Sequence, residues 1–157
     1  MIELRPANRK DLALFWSLRT RAVAQACASH YSAAVLATWL AAPAPDSLRQ
    51  HVAHGGGTVA LEDGCLLGYA VLDAAGGEVD AVFVEPAQQG RGIGAMLMRT
   101  LEAAALAAGH KRLFLSASLN AVAFYQRAGF VAVREELYPH RSGIGIPSVY
   151  MEKQLNG

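Results

Sequence analysis

The sequence predicts one mixed α/β domain of 157 residues. Three observations carry that expectation. Strand-like and helical stretches follow one another in the order βαα-βββ-αβ-αββ, with a further short helix after the second. Glycine or proline punctuates most junctions. The composition, 53% apolar and 17% charged, excludes a disordered chain and supplies a substantial core. A net charge of +1 without a basic stripe gives no general attraction to nucleic acid or to a membrane surface. No apolar run reaches membrane-spanning length, and the start, Met1-Ile2-Glu3-Leu4-Arg5-Pro6, is too charged for a signal peptide, so a cytoplasmic protein is expected. Cys27 and Cys65 fall in different elements without metal-ligand spacing, which reads as reduced thiols and no metal.

The elements follow in order. Residues 2–5 alternate as a short strand. Asn8 or Asp11 can cap a helix to about Ala28, with Leu12, Phe15, Trp16, Arg19 and Val23 at helical spacing. Ser32 caps a second helix carrying Val35, Leu36, Trp39 and Leu40, which ends before Pro43. Asp46 starts a short third helix through His54, closed by Gly55-Gly56-Gly57. Residues 58–61 and 65–72 form a hairpin about Glu62-Asp63-Gly64, and Ala74-Ala75-Gly76-Gly77 turns the chain into a strand over 78–84. A long helix from about Ile93 to Ala108 stops at Gly109; a strand over 112–117, a short helix over 120–128 and strands over 130–137 and 148–154 complete the chain, about seven strands in all.

The chemistry concentrates where the fourth strand meets the long helix. Val82-Phe83-Val84-Glu85-Pro86 leads into Gln89-Gly90-Arg91-Gly92-Ile93-Gly94-Ala95. A strand that delivers a glycine turn to a helix N-terminus makes an anion site, because free N–H groups and the helix dipole converge there. A nucleotide-binding module of the Walker type would need Lys and Ser or Thr after the last glycine, where Ala95 and Met96 stand. A dinucleotide fingerprint would need a third glycine at Leu97. The spelling Gln-x-x-Gly-x-Gly, on Gln89, Gly92 and Gly94, resembles the acetyl-CoA pyrophosphate loop of the GNAT superfamily of N-acetyltransferases.

A second stretch, Asn120-Ala121-Val122-Ala123-Phe124-Tyr125-Gln126-Arg127-Ala128-Gly129-Phe130, is similar to the other recognisable segment of that superfamily. His30-Tyr31-Ser32 before a Trp-bearing helix, and Gly145-Ile146-Pro147 before a closing Met151-Glu152-Lys153 strand, resemble a broad bacterial subgroup. The resemblance implies a GNAT-type twisted mixed sheet, flanked by helices and splayed open beside the acyl-CoA loop. It implies that acetyl-CoA is held by Val82, Phe83, Val84, Gln89, Gly90, Arg91, Gly92, Ile93, Gly94 and Ala95, with Asn120 contacting the pantetheine arm near Ala123 and Phe124.

Acetyl transfer requires a held thioester, an unprotonated amine and a stabilised leaving thiolate. Tyr125 is the candidate acid, although a Tyr on an amphipathic helix also reads as packing. Glu78 and Asp80 alternate with Val82 on one strand face and are candidate bases; the family resemblance favours Glu78, and solvated strand-end carboxylates are the plainer reading. Asn120 reads equally as a helix N-cap. His51 and His54 are three apart on a helix without a third ligand in view, and His30-Tyr31 and His140-Arg141 fall in loops that can border an acceptor pocket. Neither cysteine lies in the two matching segments, which favours direct transfer over an acyl-cysteine route. The expected function is an N-acetyltransferase acting on a small-molecule primary amine. A peptide or protein acceptor and a catalytically silent CoA-binding sensor are the alternatives. Edge strands near the C-terminus offer a site for a homodimer.

Overall fold

The computed structural model describes residues 1–140 and 142–156. Seven strands form one sheet: β1 (Glu3–Pro6), β2 (Gly57–Glu62), β3 (Cys65–Asp73), β4 (Glu78–Val84), β5 (Arg112–Ser118), β6 (Val131–Pro139) and β7 (Gly145–Gln154). Their spatial order is β1-β2-β3-β4-β5-β7-β6. Five α-helices accompany them: α1 (Leu12–Ala26), α2 (Ala33–Ala41), α3 (Asp46–Ala53), α4 (Ile93–Ala107) and α5 (Val122–Arg127). The expected elements are all present, and most boundaries shift by only one or two residues. The larger change is at β7, which begins at Gly145 and carries Pro147 within it.

Local chemistry explains the boundaries. Asn8 opens a 3₁₀ turn (Arg9–Asp11) ahead of α1: its side chain accepts from the Lys10 N–H at 2.9 Å, while the Asp11 carboxylate accepts from the Asn8 N–H at 2.8 Å. Asp11 also takes a two-pronged bond from Arg5 at 2.9 and 3.0 Å, so one buried carboxylate joins β1 to the start of α1. Ser32 caps α2 as expected, accepting from the Val35 N–H at 3.2 Å. In the β2–β3 hairpin Asp63 and Gly64 both take positive φ, 51° and 79°, the geometry that suits a right-twisted two-residue turn.

Helices cover both faces of the sheet. On one face α4 places Ile93, Leu97, Met98, Leu101 and Ala105 against Ala70, Leu72, Leu113 and Leu115. On the other, Phe15 and Leu18 of α1 and Leu48 and Val52 of α3 pack on Val59, Tyr69 and Val71. A third cluster joins Val23, Cys27, Tyr31 and Ile146 with Trp39 beside it. Tyr31 locks that corner: its hydroxyl donates to the Pro147 carbonyl at 2.6 Å and accepts from the Leu119 N–H at 2.9 Å. At the far edge, β6 leaves Val131 and Leu137 about two-thirds exposed, at 66% and 67%.

Antiparallel pairing holds everywhere except between β4 and β5, which run parallel and register at one pair, Glu78 with Phe114. β4 also carries a bulge. Val71 faces Ala81 and Leu72 faces Val79, so Asp80 has no residue opposite it on β3. The consequence is visible in the packing: Val79 belongs to the α4 side and Ala81, two residues on, to the α1 side. Strict alternation would have put both on one face. The expectation that Glu78, Asp80 and Val82 share one strand face is therefore corrected.

The Arg5–Asp11 pair yields a stability prediction. The Arg5 hydrogen bonds hold the Asp11 carboxyl below the usual carboxylate range, against a smaller opposing effect of burial. Its stabilisation is then complete above the unfolded value near 3.9 and disappears as pH falls through the lower folded value. Asp11→Ala is expected to cost about 1–2 kcal/mol at pH 7, since Arg5 is partly solvated, and much less near pH 2. Urea unfolding of both proteins at the two pH values measures it; an equal loss at both would assign Asp11 a purely steric role.

Candidate active site

The single registered pair between β4 and β5 means that the two strands part beyond Glu78 and open a slot. A cavity of about 460 Å³ occupies it and continues under α1 and α2. Of the residues expected from the sequence, Glu78, Asp80, Val82, Phe83, Val84, Gln89, Asn120 and Tyr125 line this cavity. Gly90, Arg91, Gly92, Ile93, Gly94 and Ala95, with Ala123 and Phe124, do not; most of this group lies at the surface beside the slot, with Ile93 turned into the core.

The Gly90–Ala95 segment presents a run of unpaired backbone N–H groups. None of its six N–H groups donates to another described residue, and the first backbone bond at this end of α4 runs from the Met96 N–H to the Gly92 carbonyl. Gly90 and Gly92 take φ of 85° and 76°, and a Cβ on either would meet nothing within 4 Å. They are required for backbone conformation, and the space beside them is open. Gly94 also has a packing reason to be glycine. A Cβ there would sit 2.8 Å from the Phe124 ring, so Gly94 lets α4 and α5 touch. The Arg91 side chain is held away by Glu62, at 3.0 and 2.9 Å, and by Gln88 at 2.7 Å, which leaves its N–H as the group free for a phosphate.

Asn120 corrects another expectation. The residue before α5 is Ala121, without a side-chain cap, and Asn120 lies within a 3₁₀ turn (Leu119–Ala121). Its side-chain oxygen instead accepts from the Cys27 thiol at 3.0 Å, joining the end of α1 to the floor of the slot. Cys27 itself lines the cavity, a placement that the spacing of the two cysteines does not suggest. Burial pushes its thiol up to about 11, partly opposed by the Arg19 charge, so it is a poor source of thiolate near neutrality.

Tyr125 is 8% exposed, held edge-on between Phe124 and Phe130, and its hydroxyl has no hydrogen-bond partner among the described residues. Burial raises its pKa far above the usual phenol range, so it remains an O–H donor at any working pH. Glu78 is half-buried, and burial first, then the charges of Asp80 and Asp73, push its carboxyl upward against the opposing charge of His51. Asp80 is exposed to the cavity yet enclosed by its walls; burial raises its carboxyl, His51 opposes, and Asp73 adds to the rise. His51 thus acts as a distant charge on this pair. No group of three or more His, Cys, Asp or Glu side chains is placed to hold a metal among the described residues. His140 lines the cavity, and Arg141 lies outside the described residues. His30 contacts Ser29 at the surface. Sequence reasoning did not select Trp16, Arg19, Trp39, Tyr69 and Tyr138 as site residues; they come to the cavity from distant elements and carry no local motif.

A search of curated proteins finds no match to this chain. Solved structures do match. A GCN5-related N-acetyltransferase from Rhodopseudomonas palustris is 27% identical with a TM-score of 0.84, over 98% of this chain and 95% of that one. The PaiA N-acetyltransferase of Thermoplasma acidophilum, in complex with coenzyme A, is 18% identical with a TM-score of 0.74, over 98% and 99% of the two chains. The YncA structure from Salmonella typhimurium, with acetyl-CoA, is 23% identical with a TM-score of 0.66, over 100% and 95%. The profile of the acetyltransferase (GNAT) domain matches residues 27–155, which takes in the slot, the Gly90–Ala95 loop and Tyr125, and the chain belongs to that family.

Proposed function

We propose that the protein transfers an acetyl group from acetyl-CoA to a primary amine of a small molecule, directly between the two bound substrates. The observation that carries this reading is the run of unpartnered N–H groups from Gly90 to Ala95 at the start of a 15-residue helix, beside a slot that ends at a free phenol. Those amides suit the pyrophosphate, and the parted edges of β4 and β5 suit an extended arm that reaches inward past Val82 and Val84 to Asn120. A cavity of about 460 Å³, walled by helices, favours a small acceptor over a folded protein surface.

In this mechanism the amine nitrogen attacks the thioester carbonyl; an N–C bond forms, the C–S bond breaks, and coenzyme A departs as a thiolate. Glu78 takes the proton lost by the amine, directly or through water. Tyr125 donates a hydrogen bond to the departing sulfur. With its pKa raised above that of a thiol, near 8.5, the phenol stabilises the thiolate while keeping most of its own proton. The reluctance of Cys27 to ionise supports direct transfer over an acyl-cysteine route.

The binding half is tested by thermal shift. Acetyl-CoA and CoA are expected to raise Tm by an amount that grows with ligand concentration. Gly92→Asp is expected to abolish most of that increment by placing a carboxylate beside the free amides, on top of a lower starting Tm from the strained φ of 76°. A mutant increment equal to the wild type would move the pyrophosphate elsewhere.

Turnover separates an enzyme from a CoA-binding sensor. Tyr125→Phe is expected to lower kcat at least tenfold with little change in the KM for acetyl-CoA, because the packing ring stays and only the donor is lost. Unchanged turnover would leave Tyr125 as a packing residue.

For Glu78 the measurement is the pH profile of kcat/KM. Glu78→Gln is expected to lose activity most near neutrality, where an alkylamine is protonated, and to recover as pH rises. There is also a stability signature. A carboxyl whose folded pKa is raised stabilises the fold only below its unfolded value and burdens it above, so Glu78→Gln is expected to match or exceed the wild-type Tm at pH 7. A profile that overlays the wild type would pass the proton to Asp80 or to water.

A further inference from the structure

Tyr69 is 1% exposed, yet it lines the cavity. Its ring is fixed by Phe15, stacked at 4.0 Å and 4°, and by Phe83 at 5.7 Å. The hydroxyl has no hydrogen-bond partner among the described residues. Among the described residues no side-chain nitrogen or oxygen sealed from solvent lacks a partner, so the small exposure that remains includes this hydroxyl, on the cavity side of the ring. A buried phenol normally finds a partner for its O–H, and one left unmatched is destabilising. Here that O–H is aimed at whatever fills the space.

The neighbours of Tyr69 define what that is. Arg19, 3% exposed, also lines the cavity; its guanidinium lies 4.2 Å over the Trp16 ring and donates to the Trp39 carbonyl at 2.7 Å. Its positive charge and the negative charge of Asp80 act on Tyr69 with opposite signs, both smaller than the effect of burial. Tyr69 stands opposite Phe83 on β4, three residues from Asp80 with the bulge between them, a backbone separation of roughly 7–10 Å. The cavity lining therefore carries both kinds of group: an O–H donor and a guanidinium, and, displaced along β4 from Tyr69, the carboxylates of Glu78 and Asp80.

We infer that the acceptor is an amino acid or a comparably short amino carboxylate, its carboxylate received by the Tyr69 hydroxyl in the field of Arg19 and its amine turned toward Glu78 and Asp80. This rests on the acetyltransferase reading above and narrows it. A lysine side chain within a protein carries no carboxylate at this distance, and a chain N-terminus offers an uncharged amide carbonyl there, which gains less from the field of Arg19. Tyr69 is on this account a specificity-determining residue.

The test pairs each of the twenty L-amino acids with the amine that lacks its carboxylate, reading coenzyme A release from acetyl-CoA with the wild-type protein. At least one amino acid is expected to exceed its decarboxylated partner tenfold or more in kcat/KM. Tyr69→Phe keeps both ring contacts and is expected to raise the KM for that amino acid 10–100-fold, with kcat, the KM for acetyl-CoA and the rate with the simple amine nearly unchanged. Amines that match or surpass their amino acids overturn this inference and leave the acetyltransferase reading standing. So does a Tyr69→Phe variant that weakens both classes equally. Acetyl-CoA binding without transfer to any member of either set overturns both readings together.

Discussion

The site depends on one interaction that is cut short. β4 and β5 are the one parallel pair in an otherwise antiparallel sheet, and they share a single registered position at Glu78 and Phe114. Beyond it the strands need not satisfy one another's backbone groups, and the gap becomes the place where a ligand can. The neighbouring ladders make this tolerable. β4 is held on its other side by six registered positions with β3, and β5 by seven with β7, so the two halves of the sheet are each stable without closing the seam. α4 and α5 span the seam on one face, meeting where Gly94 admits the Phe124 ring. The slot is thus an opening in a frame that is closed around it.

The bulge at Asp80 follows from the same arrangement. A strand that parts from its neighbour gains freedom to add a residue, and the added residue turns a carboxylate into the cavity and exchanges the faces of Val79 and Ala81. Desolvation raises both carboxyls, the charge of Asp80 adds to the rise at Glu78, and that of Asp73 adds to the rise at both. For a fold this is an unfavourable placement. For a base that must accept a proton from an amine it is favourable, because a carboxylate made less comfortable in its charged form binds the proton more readily. The unpartnered amides of Gly90–Ala95 and the unpartnered phenols of Tyr69 and Tyr125 have the same character: groups the fold could have satisfied and left available.

How much of this was legible in the sequence varied with the range of the signal. Elements were readable because their causes are local: Ser32 caps α2, Asp63-Gly64 turns the hairpin, and the apolar spacing of Ile93, Leu97 and Leu101 makes the buried face of α4. The glycine turn between β4 and α4 was readable for the same reason, since strand, glycines and helix are contiguous. The acceptor end was not. Trp16, Arg19, Tyr69 and Tyr138 reach the cavity from α1, β3 and β6, and nothing in their own neighbourhoods sets them apart from core or surface residues. The bulge was hidden as well: Glu78-Val79-Asp80-Ala81-Val82 looks like simple alternation, and only the register against β3 reveals the extra residue. Asn120 looked like a helix cap because Asn at a helix start usually is one, and only the arrival of Cys27 from α1 explains its side chain.

This division has a physical basis that bears on how such a site can change. The donor end is encoded by backbone geometry, in Gly90, Gly92 and the free N–H groups behind them, and a backbone tolerates few substitutions without strain at positive φ. The acceptor end is encoded by side chains carried on separate elements, each held by its own packing: Tyr69 by Phe15, Arg19 by Trp16 and Trp39, Tyr138 by its place on the edge strand. Exchanging one of these for a residue of like shape, as in Tyr69→Phe, alters the polarity of the cavity while the core contacts of its ring remain. On the proposed function the slot fixes which group is delivered, and the lining of α1, β3 and β6 is left to determine what receives it.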